Sequence, residues 1–256
     1  IILHMNTIMN IYKRIVGGDY VMSNEKYPFM ATIWYLDGEN FNFKCGATYI
    51  GKRYFLTAAH CLKNRDIKRM LVRMGNTNLN RLPYTFRITK TYVHPQFNGT
   101  SLVNDIAVIE VEKNVPESCE AVKLPCQHMD KICYNVGHSV KVLGFGKENG
   151  LKEHLDDLKE VDLKVKSLEE SRYHKSVIGN NMFLAGDIVG GKVVDACTGD
   201  SGGPCLKFLK GYWVVIGVVS WGSGCGKKNL PGVYTRVLPY HDWVRRVCGF
   251  SQCTNH

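Results

Sequence analysis

Short apolar runs separated by turn residues recur along most of the sequence, and this pattern limits the possible folds more than any other feature. The stretch YTFRIT at 84–89 alternates large apolar with polar side chains, and SVKVLGFG at 139–146 does the same before a glycine turn. The run YWVVIGVVSWG at 212–222 is continuously apolar, which is typical of a strand buried on both faces. Many such strands, punctuated by Gly, Pro and Asn, predict an all-β sandwich or barrel.

Two stretches favour a helix instead. After Pro239, apolar side chains recur at helical spacing, which predicts an amphipathic C-terminal helix at about 240–249. The stretch KEHLDDLKEVDL at 152–163 also has helical spacing, although its apolar positions fit a loop followed by a strand equally well. The chain of 256 residues contains no repeat and no low-complexity linker, so any division into domains must be compact.

The cysteine content indicates an oxidising compartment. The chain has ten cysteines, none of them in a CxxC pair, whereas zinc sites typically show short paired spacings. Long gaps between cysteines are typical of a disulfide framework. The sequence Asn98-Gly99-Thr100 is an acceptor for N-linked glycosylation. Together these features predict a secreted glycoprotein, and the lack of any run of 18 apolar residues argues against a membrane span.

The net charge of +10 raises the question of an anionic partner. No nucleic-acid-binding motif occurs, so a nucleic acid is not predicted. The densest basic run is LKNRDIKRMLVR at 62–73, with five positive residues and one negative residue. One interpretation is a solvated loop. The other is a contact face for polyanions, that is, for acidic substrates, glycosaminoglycans or anionic membranes.

The stretch ACTGDSGGPC at 196–205 places a serine among three glycines. Glycines gather where the backbone needs positive φ or close approach, so this segment is either a surface turn or a bend that holds a nucleophile. A serine hydroxyl becomes a good nucleophile only beside a base. A candidate base is His60 in TAAHC, and a carboxylate that could orient it is Asp105, which opens the apolar run NDIAVI.

In the chain order His60, Asp105, Ser201, these contexts resemble those of the chymotrypsin/trypsin-like serine proteases. The motifs IVGG, TAAHC, NDIA, GDSGGP, SWGSGCG and PGVYT all occur in the family's order, so the resemblance covers nearly the whole chain after residue 14. It implies two packed six-stranded antiparallel Greek-key β-barrels, at about 30–121 and 135–237, followed by a C-terminal α-helix.

The resemblance also implies a mechanism. Ser201 would attack a peptide carbonyl, His60 would act as general base and then as general acid, and Asp105 would orient the imidazole. The amides of Gly199 and Ser201 would form the oxyanion hole. This chemistry needs no cofactor and no metal.

Specificity, by the same resemblance, depends on Asp195 at the floor of the primary pocket. A carboxylate in a narrow cavity favours an entering cation, so cleavage after Arg or Lys is expected. Ala196 takes the place of a serine that could bind a shorter ammonium, which favours Arg over Lys. The resemblance implies further residues near the substrate. Gly222 and Gly232 would form the pocket wall, and Trp221 and Leu102 would line neighbouring subsites. Ser220 would support the buried carboxylate of Asp105.

The junction Arg14-Ile15-Val16-Gly17-Gly18 resembles the family's activation site. Residues 1–14 would be an activation peptide and residues 15–256 the protease domain. Cleavage after Arg14 by a protease of basic specificity would free an ammonium on Ile15 that pairs with Asp200. We therefore expect an uncut zymogen, with the Ile15 nitrogen far from Asp200.

Two disulfides are implied by the family, Cys45–Cys61 and Cys197–Cys225. The other six cysteines leave their pairing open; Cys126–Cys133 would close the smallest loop, and Cys119 could reach the C-terminal segment. Cys205 could equally be a small core residue.

The sequence thus predicts a secreted, monomeric serine endopeptidase made as a zymogen, whose partners are protein or peptide substrates. A catalytically silent homologue that acts as a binding or cofactor protein is the alternative, although the three triad residues are all present.

Overall fold

Strands make up most of the first half of the chain. The structure is a computed structural model that describes residues 17–146, 156–197 and 199–251. A short strand, β1 (Asp19–Tyr20), precedes six antiparallel strands that close into a barrel in the order β2-β3-β4-β7-β6-β5. They are β2 (Met30–Asp37), β3 (Asn40–Gly51), β4 (Tyr54–Thr57), β5 (Met70–Met74), β6 (Tyr84–Val93) and β7 (Ala107–Val111).

The second half forms another antiparallel barrel. Its sheet runs β1-β9-β8-β12-β13-β14-β10-β11, and a further pairing of β9 with β10 closes six of these strands into a ring. The strands are β8 (Ser139–Gly144), β9 (Lys159–Lys166), β10 (Met182–Val189), β11 (Lys192–Val194), β12 (Pro204–Leu209), β13 (Tyr212–Trp221) and β14 (Gly232–Arg236). The predicted pair of six-stranded barrels is therefore confirmed.

The local sequence explains which faces are buried. Strand β5 alternates buried with partly exposed residues, as its sequence MLVRM requires. Strand β13 is buried almost throughout, as expected for its continuous apolar run. Residues of the second half, including Leu143, Phe145 and Val218, pack in the same apolar cluster as the core of the first barrel. The two barrels thus share a buried contact.

Helices are few in the described part of the chain. The predicted C-terminal helix is present as α2 (His241–Cys248), and it ends at Gly249, whose φ is 61°. A five-residue helix, α1 (Asp130–Tyr134), joins the two halves, and no sequence pattern predicts it. The helical interpretation of 152–163 is wrong for its described part, because Lys159–Lys166 is strand β9. The alternative interpretation, a loop followed by a strand, is correct for 159–163, where buried residues alternate along β9 and the strand pairs with β8 and β10. No helix in the described ranges has the length and apolar character needed to cross a membrane.

Candidate active site

His60 is held by a short turn at the end of the first barrel's β4. The 3-10 turn Ala59–Cys61 follows this strand, and Ala58 and Ala59 are fully buried. The predicted disulfide Cys45–Cys61 is present, with a Cα–Cα distance of 6.2 Å, and it ties the turn to β3. The imidazole itself stays partly exposed, with 27% of the side chain accessible. A rigid backbone therefore presents an accessible ring.

Asp105 is fully buried and its carboxylate is hydrogen-bonded to His60 and Ser220. The Oδ1 atom accepts from the backbone N–H of His60 at 2.8 Å, and Oδ2 lies 2.7 Å from the Nδ1 of His60. Because a carboxylate accepts, Nδ1 carries the proton and Nε2 is left free to take one. The Ser220 hydroxyl donates to Oδ2 at 2.5 Å. The carboxylate thus fixes both the position and the tautomer of the imidazole.

Thr235 binds the backbone of Asp105, and Tyr240 binds the preceding residue, Asn104. Sequence reasoning missed both residues. The Thr235 hydroxyl donates to the carbonyl of Asp105 at 3.0 Å, and the Tyr240 hydroxyl donates to the Oδ1 of Asn104 at 2.6 Å. Asn104 has a φ of 58°, a region that asparagine tolerates better than most residues. The sequence pattern places Tyr240 only on an apolar helix face, and no local signal marks its hydroxyl as part of the site.

The glycine-rich turn brings Ser201 to the same place. The amide of Gly46 in β3 donates to the Ser201 carbonyl at 2.8 Å, and a Cβ on Gly202 would lie 3.1 Å from the sulfur of Cys61. Gly199 has a φ of 98°, and a Cβ there would meet the backbone of Gly146 at 2.9 Å. Among the residues that the structure describes, the Ser201 hydroxyl and the Gly199 and Ser201 amides donate to no acceptor. These three groups are available to a substrate.

Asp200, which lies between Gly199 and Ser201, is fully buried. Its Oδ1 accepts from the amide of Gly146 at 2.9 Å, and its Oδ2 accepts from the amide of Cys197 at 2.8 Å. Its predicted partner Ile15 and the cleavage residue Arg14 lie outside the described residues. The expected distance between the Ile15 nitrogen and Asp200 is therefore still a prediction.

A cavity of about 300 Å³ opens beside Ser201 in the second barrel. Five of the predicted residues, Ala196, Ser220, Trp221, Gly222 and Gly232, line it. The predicted disulfide Cys197–Cys225 is present and also lines it. The cavity wall is thus built from the segments on either side of this disulfide.

Asp195 lies beyond this lining, with 1% of its surface exposed. It borders a second cavity of about 280 Å³ on the far side, while its neighbours Ala196 and Gly232 line the first. A Cβ on Gly232 would lie 2.9 Å from the Oδ1 of Asp195. This Oδ1 accepts no hydrogen bond from the described residues, whereas Oδ2 lies 3.4 Å from the amide of Gly226. Burial raises the pKa of Asp195 to about 7, although the backbone amides of Gly226, Ala196 and Gly232 act to lower it.

Trp221 is held against the cavity by Tyr173, another residue that sequence reasoning missed. The two rings meet edge to face with centroids 5.2 Å apart, and the Tyr173 hydroxyl accepts from the amide of Ser223 at 3.0 Å. Leu102, predicted to line a neighbouring subsite, does not contribute to either cavity described above. It is partly exposed on the 98–104 loop with a φ of 56°.

The remaining predicted features lie around this site. Asn98 is exposed, and its side-chain oxygen accepts from the amides of Thr100 and Ser101. Two of the suggested cysteine pairings are wrong, because Cys119 and Cys133 are free and Cys126 is bonded elsewhere. The free Cys205 is fully buried in the second barrel, where it acts as a small core residue.

Cys45, His60 and Cys61 bring three metal-type ligand atoms within 4.8 Å of one another. The two sulfurs are bonded to each other, however, so neither is available as a thiolate ligand. These side chains therefore do not form a metal centre.

Comparison with known proteins gives the same picture over most of the chain. The family model described as Trypsin matches residues 15–244. CLIP domain-containing serine protease B10 of Anopheles gambiae is 34% identical, over 91% of this chain and 69% of that protein. Trypsin eta of Drosophila erecta is 33% identical, over 90% of this chain and 88% of that protein. Transmembrane protease serine 11A of Homo sapiens is 33% identical over 92% of this chain, which spans only 56% of that longer protein.

Proposed function

The chain belongs to the trypsin family of serine proteases, and from that premise we propose that it is an endopeptidase that cleaves after arginine and, less readily, after lysine. The observation that carries this proposal is the buried carboxylate of Asp195 behind the 300 Å³ cavity. Its Oδ1 lacks a hydrogen-bond donor among the described residues. A guanidinium entering the cavity would supply both the donors and the opposite charge that this carboxylate needs.

Arginine is favoured over lysine for a chemical reason. The planar guanidinium can donate two parallel hydrogen bonds to a carboxylate, whereas an ammonium on a shorter chain needs additional acceptors near it. Ala196 lines the cavity without a hydroxyl that could serve as one. We therefore expect a higher kcat/KM for arginine substrates than for lysine substrates, although both carry the same charge.

In the proposed mechanism, Ser201 Oγ attacks the peptide carbonyl while its proton passes to Nε2 of His60. Asp105 stabilises the resulting imidazolium through its contact with Nδ1. The oxyanion accepts hydrogen bonds from the amides of Gly199 and Ser201, a contribution of about 3 to 4 kcal/mol for each donor. Collapse of the intermediate breaks the C–N bond, and His60 returns the proton to the leaving amine. Water then attacks the acyl-enzyme carbonyl and gives a proton to His60. Collapse of this second intermediate breaks the ester C–O bond, and His60 passes the proton to Ser201 Oγ.

Activation is proposed to occur by cleavage between Arg14 and Ile15. The new ammonium would pair with Asp200, whose two hydrogen bonds reach the backbone of Gly146 and of Cys197. Both of those contacts are next to the oxyanion turn or the pocket wall. A charge arriving at Asp200 would therefore act directly on the parts of the site that bind substrate.

Secretion and glycosylation at Asn98 are proposed on separate grounds. The disulfides Cys45–Cys61 and Cys197–Cys225 require an oxidising compartment. The exposed side chain of Asn98, in a turn of the 98–104 loop, is accessible to a glycosyltransferase.

The test is labelling of Ser201 after activation. The chain is cut at Arg14 and treated with a phosphonate ester that carries an arginine-like side chain. We expect stoichiometric labelling of the cut chain, weak labelling of the uncut chain, and none of Ser201→Ala. Fluorogenic peptides should then be cleaved in the order Arg, Lys, Tyr. A cut and folded chain that does not label would instead support the catalytically silent homologue.

A further inference from the structure

We propose, on the premise of the proposed function, that the site also selects substrates with acidic side chains on the C-terminal side of the scissile bond. The selecting groups are Lys44, Arg65 and Arg69, which we call the cationic margin. They lie on the first barrel, on the opposite side of Ser201 from the arginine-binding cavity. The substrate class is thus a basic residue followed by acidic residues.

The direction of the substrate follows from the two sides of Ser201. The cavity on one side is lined by segments of the second barrel, such as Trp221 and Gly222. On the other side lies β3, because the Gly46 amide binds the Ser201 carbonyl and the Phe43 ring lies next to Gly199. A substrate whose arginine fills the cavity and whose chain continues past Ser201 would then carry its leaving group over the 43–46 segment of β3.

Lys44 lies in the middle of that segment. It is partly exposed, and it precedes Cys45, whose disulfide reaches the residue next to His60. The neighbouring Phe43 ring is turned inward and contacts Trp34 and Phe145. Ile33 pairs with Cys45 and Trp34 pairs with Phe43. Lys44 is therefore the extra residue of a β-bulge, and its partly exposed side chain has no partner residue in β2. It forms no ion pair with any carboxylate in the described ranges.

Arg65 and Arg69 belong to the segment between β4 and β5 and lie against the β2–β3 hairpin. Their guanidinium carbons lie 4.9 Å and 5.2 Å from the centroid of the Tyr35 ring. Tyr35 pairs with Asn42 in β3, one residue from Phe43. Arg69 also donates to the carbonyl of Leu36 at 2.7 Å. Cation–π contact and this hydrogen bond hold the two side chains in place, so less entropy is lost when they bind an anion.

In the described residues, no acidic side chain forms an ion pair with Arg65 or Arg69. Asp66 is the one acidic residue of the 62–73 segment, and its carboxylate accepts from the amide of Lys68 at 2.9 Å. Asp37 and Glu39 lie exposed at the tip of the β2–β3 hairpin. Within the described part of the chain, neither forms an ion pair with Arg65 or Arg69. The cations of the margin are therefore available to pair with an acidic side chain of the leaving group.

The experiment compares two quenched peptides that share the same arginine and the same residues before it. One carries glutamate, the other glutamine, at the second and third positions after the scissile bond. We expect the glutamate peptide to be preferred about fivefold in kcat/KM at low salt, because exposed charge pairs contribute modestly. The preference should shrink in about 0.5 M NaCl, where the screening length falls to a few ångströms.

The variants separate the margin from general charge. Arg65→Gln/Arg69→Gln should lose most of the preference, whereas Arg65→Lys/Arg69→Lys should keep part of it. The matched control is Arg81→Gln/Arg87→Gln, which removes two exposed charges of the same barrel and should keep the full preference. An arginine anilide, which has no residues after the scissile bond, should be cleaved equally by all four proteins and reports that each is folded.

Three outcomes would overturn the inference. Equal cleavage of both peptides, with the anilide still hydrolysed, would reject it and leave the proposed function intact. Failure to hydrolyse any arginine substrate would reject the proposed function and this inference with it. Retention of the protein on heparin that depends on Arg65 and Arg69, without any peptide preference, would assign these residues to a polyanionic polysaccharide instead.

Discussion

Asp105 and Asp195 are buried to nearly the same degree, yet their hydrogen-bond partners differ greatly. Asp105 is 0% exposed and accepts two hydrogen bonds from His60 and one from Ser220. Asp195 is 1% exposed, and its Oδ1 accepts none from the described residues. The protein supplies donors to both oxygens of the first carboxylate, but among the described residues it supplies none to the Oδ1 of the second.

The contrast shows how one residue type can serve two purposes. Burying a carboxylate costs free energy unless donors replace the water that it loses. At Asp105 the protein supplies the donors, and one of them is the imidazole whose orientation the carboxylate then fixes. At Asp195 the backbone amides replace that water only in part, and Oδ1 has no donor among the described residues, so a strong favourable interaction is left for an incoming cation. Under the proposed function, the satisfied aspartate positions a base and the unsatisfied one selects the substrate.

Asp105→Asn should reduce catalysis more than any change at Asp195 or Ser220. The amide would offer a donor where His60 Nδ1 needs an acceptor, so the imidazole would adopt the wrong tautomer. We expect kcat for an arginine anilide to fall by about 10⁴-fold, with KM little changed. Steady-state kinetics on the activated chain measures this. A loss confined to KM would show that Asp105 acts on binding and would contradict its proposed role.

Asp195→Asn should reverse this pattern. Removing the charge that a bound guanidinium would pair with should lower kcat/KM for arginine substrates by about 10²- to 10³-fold. The reactivity of Ser201 toward a small uncharged acylating reagent should stay the same, because the triad is untouched. Equal losses for both reagents would mean that the two aspartates are not independent, and the comparison between them would fail.

Sequence reasoning reached one of these aspartates more completely than the other. The run NDIAVI and the motif TAAHC are local patterns, and the resemblance links them to each other and to Ser201. The resemblance implied an unpaired carboxylate at Asp195, but which of its oxygens lacks a donor depends on where Gly226 and Gly232 fall in three dimensions. The all-β class was predictable because many strands carry their own alternation or a continuous apolar run, and the resemblance then implied the two six-stranded barrels.

Other features depended on contacts that no local pattern encodes. The stretch 152–163 fits helical spacing and a loop followed by a strand equally well, although β9 itself alternates buried with more exposed residues. The pairing of β9 with β8 and β10 decides between the two interpretations. Tyr240 reaches Asn104 across 136 positions of sequence, so its role is visible only in the folded chain. The free cysteines Cys119 and Cys133 likewise could not be distinguished from bonded ones by spacing alone.

Ser220→Ala probes the satisfied carboxylate more gently. It removes one of the three donors to Asp105 and leaves both contacts from His60 in place. Because hydrogen bonds to a buried charge contribute about 1.5 to 3 kcal/mol, we expect kcat to fall by about 10- to 100-fold. Ser220→Cys, which keeps a weak donor, should lie between this variant and the natural chain. Unchanged kcat in Ser220→Ala would show that His60 alone satisfies Asp105.

The smallest effect, about tenfold for each pH unit, should appear in the binding of benzamidine, a small cation that fits the cavity. Burial raises the pKa of Asp195 to about 7, and the benzamidinium cation needs this carboxylate ionised. Affinity measured by calorimetry should therefore fall as pH drops below about 7. Binding near that pH should release protons, because the bound cation lowers the pKa of Asp195 again.

The raised pKa of Asp195 should make the folded protein more stable at low pH, whereas it makes benzamidine binding weaker there. The folded protein holds a proton on Asp195 up to a higher pH than the unfolded chain, whose aspartate has its ordinary value of 3.8. The free energy of unfolding should therefore decrease as pH rises from about 4 to 7, and Asp195→Asn should remove that part of the slope.

The variant should also give benzamidine binding that is weak and flat over this range. A natural chain that binds benzamidine equally well at pH 5 and pH 8 would show that a donor satisfies Asp195 after all, and the contrast with Asp105 would disappear.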